Sequence, residues 1–169
     1  MQQLKYRIAL AGNPNCGKTS IFNALTGSRQ HVGNWPGKTV EQKSGFHIRD
    51  EIEFEIVDLP GTYSLTAYSL EEVIARDYII NENPDVVISV VDAANLERNL
   101  YLTIQILELG VPVILALNMW DIVESKGLQI DLERISQALK SPVVTTIASS
   151  NQGLEDLIDE VLRTVGGPE

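Results

Sequence analysis

The stretch AGNPNCGKTS, residues 11–20, decides the fold of this 169-residue chain. It follows the apolar run RIAL and fits the pattern G-x-x-x-x-G-K-[ST], with Gly12, Gly17, Lys18 and Thr19 in the fixed places. The glycines allow backbone torsions and close approach that a side chain would block, and the exposed N–H groups then face a phosphate. The pattern therefore predicts a strand, a phosphate-binding loop and a helix in direct succession.

The residues of this loop have distinct predicted roles. Lys18 would reach the β- and γ-phosphates of a bound nucleotide, and the Thr19 hydroxyl would ligate Mg2+. Cys16 stands at a free place in the pattern, where a small filler is a simpler interpretation than a redox or metal site. A glycine turn that matches by chance is the alternative, and the strand and helix patterns on either side argue against it. The predicted nucleotide-binding residues of the loop are Gly12, Asn13, Pro14, Asn15, Cys16, Gly17, Lys18, Thr19 and Ser20.

The composition is that of one ordinary globular domain, with 44% apolar and 21% charged residues. The single cysteine excludes an internal disulfide and fits a reducing compartment. Thirteen basic against 23 acidic residues give a net charge of −10, which argues against a nucleic-acid partner. No apolar run reaches the roughly 18 residues of a membrane span and the N-terminus lacks a signal-peptide pattern, so we expect this chain alone to be soluble.

Apolar strands alternate with amphipathic helical stretches along the chain. Runs such as VVISVV and PVILAL are typical of strands that are covered on both faces. The predicted strands are 6–11, 45–49, 53–58, 86–92, 113–118 and 143–147, and the predicted helices are 18–26, 70–82, 97–109, 132–139 and 153–164. The alternation predicts an α/β fold with a mostly parallel sheet. We expect a long loop at 27–44, one domain over 1–165, and a linker or end segment at 166–169.

A second motif follows the strand predicted at 53–58, which ends in D-x-x-G at Asp58 and Gly61. An aspartate at a strand end beside a phosphate loop can hold Mg2+, usually through water. The glycine N–H can contact a γ-phosphate and respond to its loss. A strand that simply ends in a Pro-Gly turn is the alternative, and the spacing after the phosphate loop favours the nucleotide interpretation.

A third motif predicts which base is bound. The strand predicted at 113–118 ends in N-x-x-D, with Asn118 and Asp121. A carboxylate can accept both the N1–H and the 2-amino N–H of guanine, whereas adenine presents no such pair of donors. Asn118 would tie the base-binding loop to the phosphate loop. Met119 stands where lysine is usual and would cover the base by dispersion, so modest affinity is expected.

The segment TTIASSNQG supplies a further predicted contact with the base. The Ala148 N–H is placed to donate to guanine O6, and Ser149 lies beside it. Ile147 stands where serine is common, so this segment alone is a weak indication of guanine binding.

The loop at 27–44 contains a candidate metal ligand. Thr39, within NWPGKTV, can close over Mg2+ and the γ-phosphate and release after hydrolysis. A loop threonine without such a role is the alternative. Trp35 in the same loop is not expected to be tightly packed in every state. Two roles are possible for it from the sequence, interaction with a partner or cover for part of the sheet edge.

Together these segments resemble the TRAFAC GTPases and, more narrowly, the N-terminal G domain of the ferrous iron transport protein B family. The narrower resemblance covers about residues 5–165 and rests on GNPNCGKTSIFNALTG, VGNWPGKTVE, DLPGTYSLTAYSLEE, ARDY, DAANLERNLYLT and LALNMWD. It implies a Ras-like P-loop G domain with a six-stranded sheet, one antiparallel edge strand and about five helices. It also implies a GTPase at the cytoplasmic face of the plasma (inner) membrane, attached to a helical regulatory domain and to a polytopic membrane domain that passes Fe2+.

Hydrolysis is the step for which the sequence offers least. Thr62 follows Gly61, where Ras-type proteins carry the glutamine that orients water, and no arginine is placed as an obvious finger. Slow turnover is therefore expected. The resemblance implies that K+ binds beside the phosphates, held by Asn15 and by backbone carbonyls of Gly33 and Trp35. A hydrogen bond of Asn15 within its own loop is the alternative. The predicted catalytic residues are Lys18, Asn15, Thr39 and Gly61.

Other titratable residues receive structural interpretations. The acidic residues on the helix after D-x-x-G could orient water or form salt bridges, and we favour salt bridges. These residues are Glu71, Glu72 and Asp77. Cys16, His31 and His47 show no paired metal-ligand spacing, so direct iron binding by this chain is not expected.

Three other functions are alternatives to a regulatory GTPase of iron transport. A soluble Era-like assembly GTPase would normally bring basic residues for RNA, which this acidic chain lacks. A guanine-nucleotide switch with negligible turnover is a second alternative, because Thr62 stands where Ras-type proteins carry the water-orienting glutamine. A P-loop kinase is disfavoured by Asp121. The sequence does not fix the oligomeric state.

Overall fold

The computed structural model of the chain describes residues 4–166 and shows a seven-stranded sheet with helices packed on both faces. The strands are β1 (Lys5–Gly12), β2 (Gln30–Asn34), β3 (Glu41–Arg49), β4 (Ile52–Asp58), β5 (Val86–Asp92), β6 (Val113–Asn118) and β7 (Val143–Thr145). The helices are α1 (Lys18–Thr26), α2 (Leu70–Glu82), α3 (Leu96–Glu108), α4 (Trp120–Ser125), α5 (Leu132–Leu139) and α6 (Leu154–Gly166). Short 3-10 turns lie at Ala93–Asn95 and Ala148–Ser150.

The order of the strands brings three loops to one edge of the sheet. The order is β2-β3-β4-β1-β5-β6-β7. β1 pairs in parallel with β4 and β5, and parallel pairing continues through β6 to β7. β3 runs antiparallel to both β2 and β4, so antiparallel pairing is confined to one side of the sheet. Because parallel strands end at the same edge, the loops that follow β1, β4 and β6 meet there.

β1 shows how the chain fills both faces of the sheet. Ile8 and Leu10 are fully buried in one core, together with Phe22 of α1 and Leu157 of α6. Ala9, between them, enters the opposite core with side chains of α2 and α3. Successive side chains of a strand point to opposite faces, so a strand covered on both faces becomes a continuous apolar run. This confirms the interpretation of the runs in β5 and β6, which are buried almost throughout.

The α/β class and the mostly parallel sheet are confirmed, but the sheet has seven strands rather than six and there are six α-helices rather than about five. The prediction of a loop over 27–44 is wrong for β2 and for the first residues of β3. All five residues of β2 are exposed, and its sequence QHVGN lacks the alternation of a half-buried strand. Backbone pairing with β3, from Gln30 opposite Gly45 to Asn34 opposite Glu41, fixes this strand instead of burial.

Two smaller differences lie near the base motif. The sequence interpretation missed α4, which is too short for a periodic pattern and buries only Val123. β7 ends at Thr145, before the predicted end at 147, because Ile147 leaves the ladder and bridges Gln152. At the C-terminus Gly166 still belongs to α6, and the rest of the predicted 166–169 segment lies outside the described residues, so the boundary at 165 stays a prediction.

The helices of residues 4–166 are packed on the sheet, and none of them combines the length and the apolar character that a bilayer span requires.

Candidate nucleotide-binding site

A cavity of about 580 Å³ opens where the loops after β1, β4 and β6 meet. Its size lies in the range that holds a small-molecule ligand, and its place at the carboxyl ends of the strands is where such sheets bind ligands. The lining residues come from all three predicted motifs and are Asn13, Pro14, Asn15, Gly17, Lys18, Thr19, Gly61 and Met119. Of the other predicted loop residues, Gly12 and Cys16 are buried and Ser20 is exposed in the first turn of α1.

Two glycines of the phosphate loop are required by close approach of the backbone. Gly17 has a φ of +91°, and a Cβ there would lie 2.0 Å from Nδ2 of Asn118. A Cβ on Gly12 would lie 2.7 Å from the carbonyl oxygen of Val90 and from Sγ of Cys16. No side chain fits either place, so these glycines let the loop pack against β5 and against the base motif.

Lys18 and Asp58 form a buried ion pair at the wall of the cavity. The Lys18 ammonium donates to a carboxylate oxygen of Asp58 and, over 2.6 Å, to the carbonyl oxygen of Leu59. Burial raises the pKa of the Asp58 carboxyl above its ordinary value, and the positive charge of Lys18 opposes that rise. The residue predicted to hold phosphate and the residue predicted to hold Mg2+ therefore lie in direct contact.

Asn118 joins three segments through its side chain. Its Nδ2 donates to the carbonyl oxygen of Cys16 over 3.1 Å, which is the link between base motif and phosphate loop that the sequence predicts. Its Oδ1 accepts from the Thr146 hydroxyl at 3.0 Å and from the Ala148 N–H at 3.1 Å. The sequence interpretation missed Thr146, because a single threonine after a strand carries no recognisable signal.

The other predicted base-binding residues surround this junction. Met119 has a φ of +59° and lines the cavity, while Asp121 lies exposed in the first turn of α4. Ala148 begins a 3-10 turn and is buried, and Ser149 beside it is exposed. The Ala148 N–H is engaged by Asn118 in this structure, so a base that accepts from it must share or replace that bond.

Besides Asp58, which pairs with Lys18 of the cavity wall, three predicted metal ligands lie outside the lining of the cavity. Gly33 is in β2, opposite Gln42 of β3. The Trp35 carbonyl accepts the Lys38 N–H at 2.8 Å, which closes a turn, and Thr39 is exposed just after it. The structure thus does not bring these residues to the phosphate loop, and their roles stay predictions.

The Trp35 side chain is buried, with 7% of its surface exposed. Its ring meets that of Tyr78 on α2 edge-on, with 5.6 Å between the centroids. In this conformation Trp35 belongs to the core that contains side chains of α2 and α3, and is not a cover for the sheet edge.

A second, smaller cavity of about 170 Å³ adjoins the phosphate loop on the side of α3. It is lined by Asn13, Pro14, Asn15, Tyr63, Asp92, Asn95, Arg98 and Asn99. The Arg98 guanidinium lies over the Tyr63 ring at 5.5 Å from its centroid. The sequence interpretation assigned no site here, although the segment DAANLERNL, which supplies half of the lining, carries part of the family resemblance.

Glu72 braces the segment between Gly61 and α2. Its carboxylate accepts from the Tyr68 N–H at 2.9 Å and from the hydroxyls of Ser64 and Thr66 at 3.0 Å. These hydrogen bonds, with the Tyr68 N–H first, hold the pKa of the Glu72 carboxyl below its ordinary value. Glu72 thus has a structural role, but through hydrogen bonds from neutral donors and not through the salt bridge that we favoured from the sequence.

The cysteine and the histidines show no metal-binding arrangement. Burial raises the pKa of the Cys16 thiol, and Nδ1 of His47 makes a 2.8 Å hydrogen bond with the Leu25 carbonyl. His31 is exposed on β2. Within residues 4–166, no three or more histidine, cysteine, aspartate and glutamate side chains group closely enough to hold a metal ion.

Comparison with known proteins identifies close relatives. The chain matches the family model for ferrous iron transport protein B over residues 6–161. It is 52% identical over 157 residues to the Fe(2+) transporter FeoB of Escherichia coli, which covers 90% of this chain and 20% of that protein. It is equally similar, at 52% over 157 residues, to the Fe(2+) transport protein A/Fe(2+) transporter FeoB fusion protein of Porphyromonas gingivalis, covering 92% and 19% of the two chains. The chain therefore spans about a fifth of the length of the curated relatives it matches.

Solved structures show the same fold. The FeoB G-domain from Methanococcus jannaschii is 46% identical with a TM-score of 0.86, covering 97% of this chain and 99% of that one. The cytosolic domain of the T. maritima FeoB iron transporter in a GDP form is 43% identical with a TM-score of 0.94, covering 99% and 66%. A mutant of S. thermophilus NFeoB bound to GDP is 49% identical with a TM-score of 0.90, covering 94% and 62%.

Proposed function

The chain belongs to the ferrous iron transport protein B family, and on that premise we propose that it binds GTP, hydrolyses it slowly and regulates a membrane ferrous iron transporter. The observation that carries the proposal is the hydrogen bond from Asn118 to the Cys16 carbonyl, 3.1 Å long, which joins the base motif to the phosphate loop. A base and a triphosphate on one ligand require such a junction.

Selection of guanine rests on Asp121. Its carboxylate is exposed in the first turn of α4, two residues after Met119, which lines the cavity. A carboxylate at the edge of a guanine accepts both donors of that edge, and the polarizable thioether of Met119 would cover a face of the ring. Ala148 and Ser149 complete the base side of the site.

Phosphate and Mg2+ would be held where Lys18, Thr19 and Asp58 meet. The oxygen donors available are the Thr19 hydroxyl, the Asp58 carboxylate and, after movement of its segment, the Thr39 hydroxyl; oxygen is the ligand type that Mg2+ prefers. Bound Mg2+ supplies charge neutralisation at the β- and γ-phosphates. Lys18 would exchange its Asp58 partner for phosphate oxygens, since both are anionic acceptors within its reach.

Potassium activation is the further part of the proposal. Asn15 lines both cavities, is exposed, and has a φ of +67°. The carbonyls of Gly33 and Trp35 would complete the cation site once the turn from Trp35 to Lys38 opens. Bound K+ supplies positive charge of the kind that an arginine finger supplies elsewhere.

The residues then act on an in-line attack of water at the γ-phosphate. Lys18 stabilises charge that develops on the phosphate oxygens. Gly61 lies against Pro14, where a Cβ added at Gly61 would be 3.4 Å from the proline Cα, so the Gly61 backbone is close to the phosphate loop. Thr39 and Gly61 would report the presence of the γ-phosphate by closing on it and releasing after hydrolysis.

One alternative has an observation in its favour. Thr62 replaces the glutamine of Ras-type proteins and is buried, with its N–H bonded to the Gly12 carbonyl at 3.1 Å. A domain without a water-orienting side chain would be a guanine-nucleotide switch with negligible turnover. The soluble Era-like alternative is opposed by the net charge of −10, which repels RNA.

The regulatory role concerns the longer protein. Relatives about five times as long as this chain are named as Fe(2+) transporters. We propose that a helical regulatory domain and a polytopic membrane domain accompany this domain, which would lie at the cytoplasmic face of the inner membrane.

The decisive experiment is GTP hydrolysis by this chain in matched KCl and NaCl with Mg2+. Marked acceleration in KCl is expected, with loss of that acceleration in Asn15→Ala. Equal rates in both salts would remove K+ from the mechanism. A rate no faster than uncatalysed GTP hydrolysis would favour the alternative, a guanine-nucleotide switch with negligible turnover. Competition of GDP against ADP for the site tests guanine selection in the same samples, and preference for ADP would contradict the proposal.

A further inference from the structure

We propose that Asn13 binds the water that attacks the γ-phosphate, and that the 170 Å³ cavity behind it is the water-binding site from which this water comes. The inference rests on the GTP hydrolysis proposed above. It assigns the role left open by Thr62 to a residue of the phosphate loop.

The first observation is an unpaired acceptor. Asn13 has only 4% of its surface exposed, and no donor of the described residues reaches its Oδ1. Buried polar atoms in folded proteins nearly always have a hydrogen-bond partner, so an exception indicates a ligand or a bound water. A carboxamide oxygen accepts hydrogen bonds, and water is the donor that fits a small polar space.

The second observation is where Asn13 lies. It lines the phosphate cavity and the smaller cavity, and so stands between them. Its chain neighbours both contact the D-x-x-G segment: the Gly12 carbonyl accepts the Thr62 N–H at 3.1 Å, and Pro14 packs against Gly61. Asn13 therefore lies between the two cavities and beside the D-x-x-G segment, whose Gly61 N–H is proposed to contact the γ-phosphate.

The third observation is the polar wall of the smaller cavity. Asp92 accepts from Nδ2 of Asn95 at 2.8 Å, and its own N–H donates to Oδ1 of Asn99 at 3.2 Å. These bonds fix the polar groups of the DAANLERNL segment in place. Since one water occupies about 30 Å³ and needs two to four polar partners, the space admits several waters. None of the nucleotide contacts proposed above involves this segment, and a water-binding site gives its polar side chains a role.

The chemistry matches what a glutamine supplies in Ras-type proteins. The Asn13 oxygen accepts one water hydrogen, which turns a lone pair of the water toward the phosphorus. The water oxygen bonds to Pγ while the bond from Pγ to the β–γ bridging oxygen breaks and its electron pair leaves with GDP. The water proton passes to the released phosphate, because an amide is too weak a base to keep it.

The test uses Asn13→Leu, which keeps four side-chain heavy atoms branched at Cγ but removes the polar ones, and Asn13→Ala, which leaves room for water. Single-turnover GTP hydrolysis, GDP affinity and thermal unfolding are measured for both in Mg2+ and KCl. We expect the rate of hydrolysis to fall about tenfold or more in both variants, because each loses an interaction made in the transition state. GDP affinity should change less than about threefold. Asn81→Ala, on the exposed surface of α2, is the control and should match the unchanged chain.

Thermal unfolding separates catalysis from loop structure. If the Asn13 oxygen has no protein partner, Asn13→Leu should unfold at the same or a higher temperature, because it removes a buried unpaired acceptor. Unchanged hydrolysis in either variant overturns the inference while the proposed GTPase stands. A fall in hydrolysis that is matched by an equal fall in GDP affinity and stability also overturns it. Turnover by the unchanged chain no faster than in solution overturns the proposed hydrolysis itself.

Discussion

Among single residues, Asn118 does most to shape the site, because one amide group spans three segments. It donates to the phosphate loop and accepts from the segment after β7 at two points. A carboxamide suits this position because its NH2 group donates while its oxygen, on the same carbon, accepts two hydrogen bonds. The base motif is therefore linked directly to the phosphate loop through Asn118. The role of Asn118 could be predicted from sequence because it occupies a fixed place in the motif N-x-x-D.

Asp121 is the residue whose replacement tests the base. Asp121→Ala should weaken GDP binding by about a hundredfold, since a charged acceptor loses two donors of the base. The preference for GDP over ADP should fall by a similar factor. Titration with fluorescent GDP and competition by ADP measure both. Glu124→Ala, exposed on the same helix, is the matched control, and equal losses in the two variants would argue against base contact by Asp121.

Lys18 is the residue whose replacement tests the buried ion pair. Lys18→Met leaves the Asp58 carboxylate buried without its partner, so the free energy of unfolding without nucleotide should fall by about 3 kcal/mol. Urea unfolding at neutral pH measures the change. Lys38→Met, at an exposed lysine, should change little.

The double variant Lys18→Met with Asp58→Leu tests whether the loss of stability comes from the unpaired charge. Removal of both charges should restore much of the lost stability, because the penalty comes from the unpaired carboxylate. A double variant as unstable as the sum of the single changes would mean that packing, and not charge, is what Lys18 supplies.

At the scale of elements, burial decides what could be predicted. β5 and β6 are buried almost throughout, and their boundaries agree with the sequence pattern. β2 is exposed along its whole length and owes its existence to pairing with β3, a long-range effect that leaves no local pattern. α4 could not be predicted for a different reason, since its six residues are too few to show a helical period.

The same distinction holds for the candidate site. Its phosphate side follows from a spaced motif, and Asn118 from a second one. Thr146, and the cavity beside α3, depend on which side chains the fold brings together, so nothing in the local sequence announces them.

The segment between Gly61 and α2 depends on Glu72. Glu72→Gln should lower the free energy of unfolding by about 1 kcal/mol at neutral pH, because hydrogen bonds to a charged acceptor become bonds to a neutral one. Hydrogen exchange of the Tyr68 amide should quicken. Glu71→Gln, exposed in the same helical turn, is the control.

The effect of Glu72 should depend on pH in a definite direction. Its pKa is lowered in the folded state, chiefly by the Tyr68 N–H, so its contribution is full above the ordinary pKa of glutamate. It is lost as pH falls through the lowered pKa. Urea unfolding at several acid pH values should show the unchanged chain and Glu72→Gln converging, and a constant difference would contradict this account.

At the scale of the whole molecule, Trp35 ties the segment before β3 to α2. The proposed role of Thr39 requires this segment to move toward the phosphate loop, and we expect that movement to separate Trp35 from Tyr78. In a Trp120→Phe background, emission from Trp35 should shift to longer wavelength with a non-hydrolysable GTP analogue and Mg2+, because the ring becomes solvated. GDP should leave it unchanged. The same spectrum with both nucleotides would remove Thr39 from the proposed closure.

The contact between Lys18 and Asp58 also bears on nucleotide exchange. A buried lysine that loses its anionic partner keeps an unpaired charge, which is destabilising. Here the Asp58 carboxylate and the Leu59 carbonyl serve as the counter-ion and the acceptor in its place. When the proposed nucleotide leaves, one anion would replace another around the same ammonium group, so the buried charge of Lys18 stays paired at every stage of an exchange cycle.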